Sequence, residues 1–181
     1  MPTFDFKQLD VFSRVPLKGN PLAVVFGADS LSDQQMADFA NWTNLSETTF
    51  LLAPRDPRAD YRVRIFTTLK ELPFAGHPTL GSCHAWLQAG GIPKGEEIIQ
   101  ECEIGLVRIR RQGDGLAFIA PPLMRSGPVE AAVIERVRLA LGLALRSWLG
   151  IRGRATRGAE WTWFCGSRAW VRGWGVRESA V

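Results

Sequence analysis

Residues 78–89 form a run of twelve with no Asp, Glu, Lys or Arg. Pro78 suits the first position of a helix, where its missing backbone N–H costs nothing, and Gly90 with Gly91 supplies a stop. A helix without a charged face has no side to offer water, so it is buried all round. The segment therefore predicts a central helix with sheet wrapped around it.

The flanking sequence supplies the sheet. Residues 4–12 alternate apolar and polar side chains, as a strand does. A turn at Gly19–Asn20–Pro21 leads into LAVVF at 22–26, which reads as a buried strand. Ser32 and Gln35 make a capping box ahead of Met36, Phe39 and Ala40, which predicts a short amphipathic helix to about Trp42. Residues 48–52 and Tyr61–Phe66 read as strands, the latter with Arg62 and Arg64 on a solvated face. Residues 98–101, 106–110 and 116–120 follow, the last two as a hairpin over Gly113–Asp114–Gly115. Val129, Val133, Val137 and Leu141 recur at helical spacing, with Gly142 near a C-cap. The fold class is α+β, with residues 1–125 as one domain and a helix at 126–143 leading toward a second.

Beyond about Leu143 this local logic stops. Residues 144–181 hold five of the seven Trp, six Gly and no Lys. They also hold seven Arg against two acids, a net +5, so the first 143 residues carry −1 of the chain's +4. That mixture is poor material for a packed domain and predicts a disordered or poorly packed tail. The basic charge belongs to the tail, which argues against a nucleic-acid partner for the folded body. No apolar run reaches the roughly 18–20 residues of a membrane span. The N-terminus has no basic and apolar leader, and three scattered Cys make no disulfide framework, so the expectation is a cytoplasmic protein.

Two places carry chemistry. Glu47, in NLSETTF, lies between a polar connector and an apolar strand. A carboxylate there is either solvated or partly desolvated, and the second state raises its pKa toward acid/base use. Gly76–His77–Pro78–Thr79 opens the uncharged helix, where free N–H groups and the positive dipole end suit a carboxylate or an enolate-like oxygen. His77 reads either as a proton donor and acceptor or as a surface residue at an ordinary helix cap. Cys83 and His84 share a helix face with Leu80 and Leu87 and read as core. A zinc site from His77, Cys83, His84 and Cys102 lacks any short ligand-pair spacing. Phosphate-binding glycine loops and a G-x-S-x-G elbow are absent.

Three segments together carry a resemblance: GNPLAVVF at 19–26, NLSETTFL at 44–51 and RIFTTLKELPFAGHPTLG at 64–81. They resemble the phenazine-biosynthesis, PhzF-like isomerases, over roughly residues 1–143. The one small departure is Thr68, where that family usually has Pro. The resemblance implies the diaminopimelate-epimerase-like fold: two similar domains, each a mostly antiparallel curled sheet around a central helix, with the active site in the cleft between them. It implies no metal and no organic cofactor. It places the acid/base carboxylate at Glu47 and a catalytic histidine at His77. Asn20, Ser46, Gly76, Pro78 and Thr79 become the substrate- or anion-binding positions.

The implied activity is cofactor-independent isomerisation or epimerisation of a small carboxylate of the dihydro-hydroxyanthranilate type. Related amino-acid epimerases use two thiols, whereas here the first such position is Glu47 and no Cys sits in a matching motif. The expectation is therefore single-carboxylate proton shuttling.

The second domain that should face this site is not recognisable in the tail. Read one nucleotide later, the codons for residues 160–165 can spell N-G-P-G-F-A, a segment resembling the start of that family's second domain. The expectation is a truncated chain whose residues from about 144 are translated out of frame. An inactive single-domain fragment or a small-molecule-binding module is then the alternative function. An unpartnered domain face would favour a homodimer or self-association.

Overall fold

The computed structural model describes residues 3–13, 15–113, 115–121, 129–140 and 142. They divide into two compact units, one up to Ile119 and one beginning at Ala120.

In the first unit, β1 (Phe6–Val11) and β2 (Asn20–Val25) pair antiparallel. A short 3-10 turn, Ala28–Ser30, leads to α1 (Asp33–Thr43). The capping box forms as expected: Gln35 N–H donates to Ser32 Oγ at 3.2 Å, and Ser32 N–H to Gln35 Oε1 at 2.9 Å. Asn44 closes the helix in the left-handed region. Then come β3 (Glu47–Leu52), β4 (Tyr61–Phe66), the two-residue β5 (Glu71–Leu72), α2 (Gly76–Gln88), β6 (Ile98–Cys102), β7 (Gly105–Gln112) and β8 (Gly115–Phe118). β7 and β8 form the expected hairpin, with Gln112 opposite Gly115. The sequence pattern does not show β5, because two residues are too few to display a period.

The eight strands make one sheet in the order β1-β2-β3-β4-β6-β7-β8, with β5 paired to β4. Pairing is antiparallel except between β2 and β3 and between β4 and β6. β3 lines one edge of β4, so β5 and β6 share the other.

Strand alternation sends side chains to two separate cores. Leu22, Val24, Leu51, Val63, Ile65, Ile98 and Ile109 pack with Cys83 and Ala85 of α2. Val25, Phe50 and Phe66 face the other way, onto Met36 and Ala40 of α1. Helix α2 packs against β1, β2, β3, β6 and β8, so the sheet curls around it as its charge-free sequence requires.

The helix starts two residues earlier than expected. Gly76 and His77 belong to its first turn, and Pro78 is its third residue. Pro is tolerated there because none of the first four N–H groups has a partner within the helix.

Arg64 departs from the expectation of a solvated face. Its guanidinium pairs with Asp33 at the start of α1 and with Glu71 of β5, each at 2.6 Å. In the second unit, α3 (Ala131–Ala140) lies within the expected 126–143 helix, and Gly142 takes φ 63° just after it. Leu141 and residues 143–181, including the tail, lie outside the described residues.

Gly81 lets α2 approach the sheet. A Cβ there would sit 2.4 Å from Leu22 Cδ2 and 3.0 Å from Val11 Cγ2, both in packed core. Gly81→Ala gains about 1 kcal/mol of helix propensity but meets about 1–3 kcal/mol of overpacking. The expected result is a net loss of about 1 kcal/mol, read as a lower urea midpoint with an unchanged slope.

Candidate active site

Parallel pairing sets Leu22 of β2 beside Glu47 of β3, so both strands begin at the same end of the sheet. That end gathers Asn20, Pro21, Ser46 and Glu47, and Ser46 Oγ donates to Asn20 Oδ1 at 3.1 Å. Glu47 is the first residue of its strand, not a loop residue, and its side chain is only 17% exposed. The carboxylate is therefore largely shielded from solvent.

Helix α2 delivers His77 to the same place. Its Nε2 lies 3.4 Å from Glu47 Oε2, with the imidazole 8% exposed. Neither atom has a hydrogen-bond partner among the described residues. The Pro21 carbonyl also bears on the ring, as the smallest of three influences on its titration. Burial, the largest influence, pushes the His77 pKa below 6.5, while the Glu47 charge and the Pro21 carbonyl pull it partly back. A carboxylate and a neutral imidazole so placed can hold a single proton between them.

Phe12, just after β1, lies against the imidazole with ring centroids 6.2 Å apart. Its φ of 73° falls in the left-handed region, a strained conformation for a side chain of that size. Gly76 makes room on the other side: a Cβ there would come within 3.3 Å of Phe118. Ala75 supplies no side-chain cap, and Pro78 has no N–H to offer. The N–H groups of Gly76 and His77, at the positive end of the helix dipole, are thus the ones able to meet an oxyanion.

Of the expected binding positions, the fold brings Asn20, Ser46 and Gly76 together around the pair, and Pro78 is buried behind them. The Thr79 side chain points elsewhere. Fully buried, its hydroxyl donates to Ala75 O at 2.9 Å and accepts from Gln100 Nε2 at 3.1 Å. Two residues that touch His77 escaped the sequence reading. Pro21 acts through its carbonyl, which no side-chain pattern reveals. Phe12 ends a strand that looked like any other.

The two thiols among the described residues are poor proton carriers. Burial pushes Cys83 up to about 12, and Cys102 is also raised by burial, so both stay protonated near neutrality. Among the described residues, no group of three or more His, Cys, Asp or Glu could hold a metal ion. No helix there is long and apolar enough to cross a membrane.

The described residues thus present a curled sheet around a buried helix, with a carboxylate and an imidazole apposed at the helix start. Residues 9–121 match the family described as phenazine biosynthesis-like protein, and the chain belongs to that PhzC/PhzF family. It is 48% identical over 151 residues to "Antisense-enhancing sequence 1" of Schizosaccharomyces pombe, covering 80% of this chain and 51% of that protein. It is 38% identical over 138 residues to the trans-2,3-dihydro-3-hydroxyanthranilate isomerase of Pseudomonas chlororaphis, covering 75% and 48%. Among solved structures, a "Predicted Epimerase" of Pseudomonas aeruginosa superposes with a TM-score of 0.61 at 33% identity, covering 82% of this chain and 54% of that one. A Bacillus anthracis phenazine biosynthesis protein of the PhzF family gives 0.57 at 28% identity, covering 65% and 40%. The chain thus spans about half the length of these curated relatives.

The lowered His77 pKa has a consequence for stability. Between the folded-state value and 6.5 the unfolded chain binds more protons than the folded one, so stability rises with pH through that window. Acidifying from about pH 7 to about pH 5.5 should lower the urea midpoint. In His77→Gln that part of the dependence should flatten, which paired denaturation series at the two pH values would measure.

Proposed function

We propose that the chain carries the acid/base half of a proton-shuttling isomerase or epimerase acting on a small cyclic or amino-acid-like carboxylate of the dihydro-hydroxyanthranilate type. The observation that carries this reading is the Glu47–His77 apposition at 3.4 Å, with two buried polar atoms left unpartnered beside a free helix start. The Glu47 carboxylate would take a proton from a carbon of the substrate and return it to another. The N–H groups of Gly76 and His77 would hold the oxygen on which negative charge develops. His77, with Nε2 3.4 Å from Glu47, can accept the proton transiently. The 38% identity to a named dihydro-hydroxyanthranilate isomerase supports the substrate class.

Self-association belongs to the same proposal. It draws support from Val133 and Val137 of α3, each 41% exposed.

Deuterium incorporation from solvent into a dihydro-hydroxyanthranilate substrate tests the assignment, comparing the chain with Glu47→Gln. Removing a general acid/base should slow exchange about 10²–10⁴-fold. Equal exchange in both would take Glu47 out of the reaction. No exchange in either would favour a binding module without turnover.

A further inference from the structure

Helix α2 begins without a capping side chain, at Ala75, yet its first turn must hold His77 against Glu47. What fixes that turn is a chain of buried polar groups reaching in from the sheet. Tyr61 OH on β4 donates to Gln100 Oε1 on β6 at 3.0 Å. Gln100 Nε2 donates to Thr79 Oγ1 at 3.1 Å, and Thr79 Oγ1 donates to the Ala75 carbonyl at 2.9 Å. Gln100 and Thr79 are fully buried and Tyr61 is 2% exposed.

The two strands are already in register here, since Tyr61 lies beside Gln100 in the β4–β6 pairing. The Tyr61 ring also stacks on Trp86 further along α2, at 5.2 Å. The Tyr61 end of the relay is thus anchored on rigid elements. Gln100 occupies an inward position of a strand whose other inward residues are Ile98 and Cys102, an apolar slot given to an amide. Burying an amide is costly unless its bonds are made, and a fully satisfied buried network specifies one arrangement.

We propose that Tyr61, Gln100 and Thr79 are positioning residues, which set the place of the α2 first turn and so the approach of His77 to Glu47. This rests on Glu47 and His77 being the working pair, and it assigns Thr79 an indirect role where substrate contact was expected. The relay and the site lie on opposite sides of the same turn, with Ala75 and Thr79 bracketing His77. Loss of the Thr79 hydroxyl takes the acceptor from the Gln100 amide and leaves the cap carbonyl with only the Thr79 N–H, at 3.2 Å. The first turn then frays, water reaches the imidazole, and the desolvation that dominates its titration is relieved.

Among the described residues, His77 is faced by Glu47 from β3, the Pro21 carbonyl from β2 and the Phe12 ring that follows β1, and of these only Glu47 ionises.

The test is the NMR titration of labelled histidine in the full chain, which has only two histidines, His77 and His84. In Thr79→Val, nearly the same shape without the hydroxyl, the His77 midpoint should rise toward its ordinary value by about half a unit or more. The His84 midpoint should stay in place, and Thr79→Ser should restore the original His77 value. Tyr61→Phe cuts the far link, leaves the ring stack in place, and should move His77 in the same direction by less. A His77 midpoint unchanged or lowered in the folded variants would overturn the proposal, as would equal movement of both histidines. The readout needs no turnover, so an inactive chain leaves it valid and its failure leaves the proposed reaction standing.

Discussion

Everything in the first unit depends on burying a helix that has no polar side. α2 can be surrounded only if the sheet curls, and it can approach closely only where a side chain is missing. Gly81 provides that place, against Leu22 and Val11. The apolar contacts around Cys83 and Ala85 hold the middle of the helix. Its uncapped start is thereby pushed in among the ends of β2 and β3. The site is thus a by-product of packing: a helix N-terminus, with its free N–H groups and positive dipole, is carried to where a strand begins with a carboxylate.

Electrostatics at that junction is left incomplete. Elsewhere among the described residues the buried side-chain polar atoms have partners, as Ser82 on Thr49 and Thr49 on the Ala23 carbonyl show. Glu47 Oε2 and His77 Nε2 face one another with no other partner. Leaving such groups unpaired costs about 1–3 kcal/mol each, so the rest of the fold must hold them there. What results is an imidazole whose charged form is disfavoured by burial and favoured by the Glu47 charge, two influences that oppose one another. Phe12, strained at φ 73°, lies against this unsatisfied pair, and the relay through Gln100 ends on the helix turn that carries His77.

Much of this was legible in the sequence, for physical reasons. The absence of charge over residues 78–89 announced the central helix, because no other environment suits it. The Ser32–Gln35 box and the β7–β8 hairpin follow local codes and appeared where local codes operate. Less legible was anything decided by pairing between distant segments. The parallel register that brings Asn20 and Pro21 to Ser46 and Glu47 has no local signature. Glu47 was therefore ambiguous until its strand had neighbours. Arg64 read as a solvated residue because Asp33 and Glu71 lie 31 and 7 residues away in the chain. Gln100 did leave a trace, a polar residue in an inward slot of an alternating strand, and that trace marks the relay.

The central claim is that the α2 start holds His77 within electrostatic reach of Glu47, and it can be tested without any substrate. The measurement is the His77 titration midpoint in the native chain and in Glu47→Gln. Since the Glu47 charge raises the His77 pKa against the effect of burial, its removal should drive the midpoint lower still. An unchanged His77 midpoint, in a variant that keeps its fold, would mean that the two groups do not sense one another and would contradict the account.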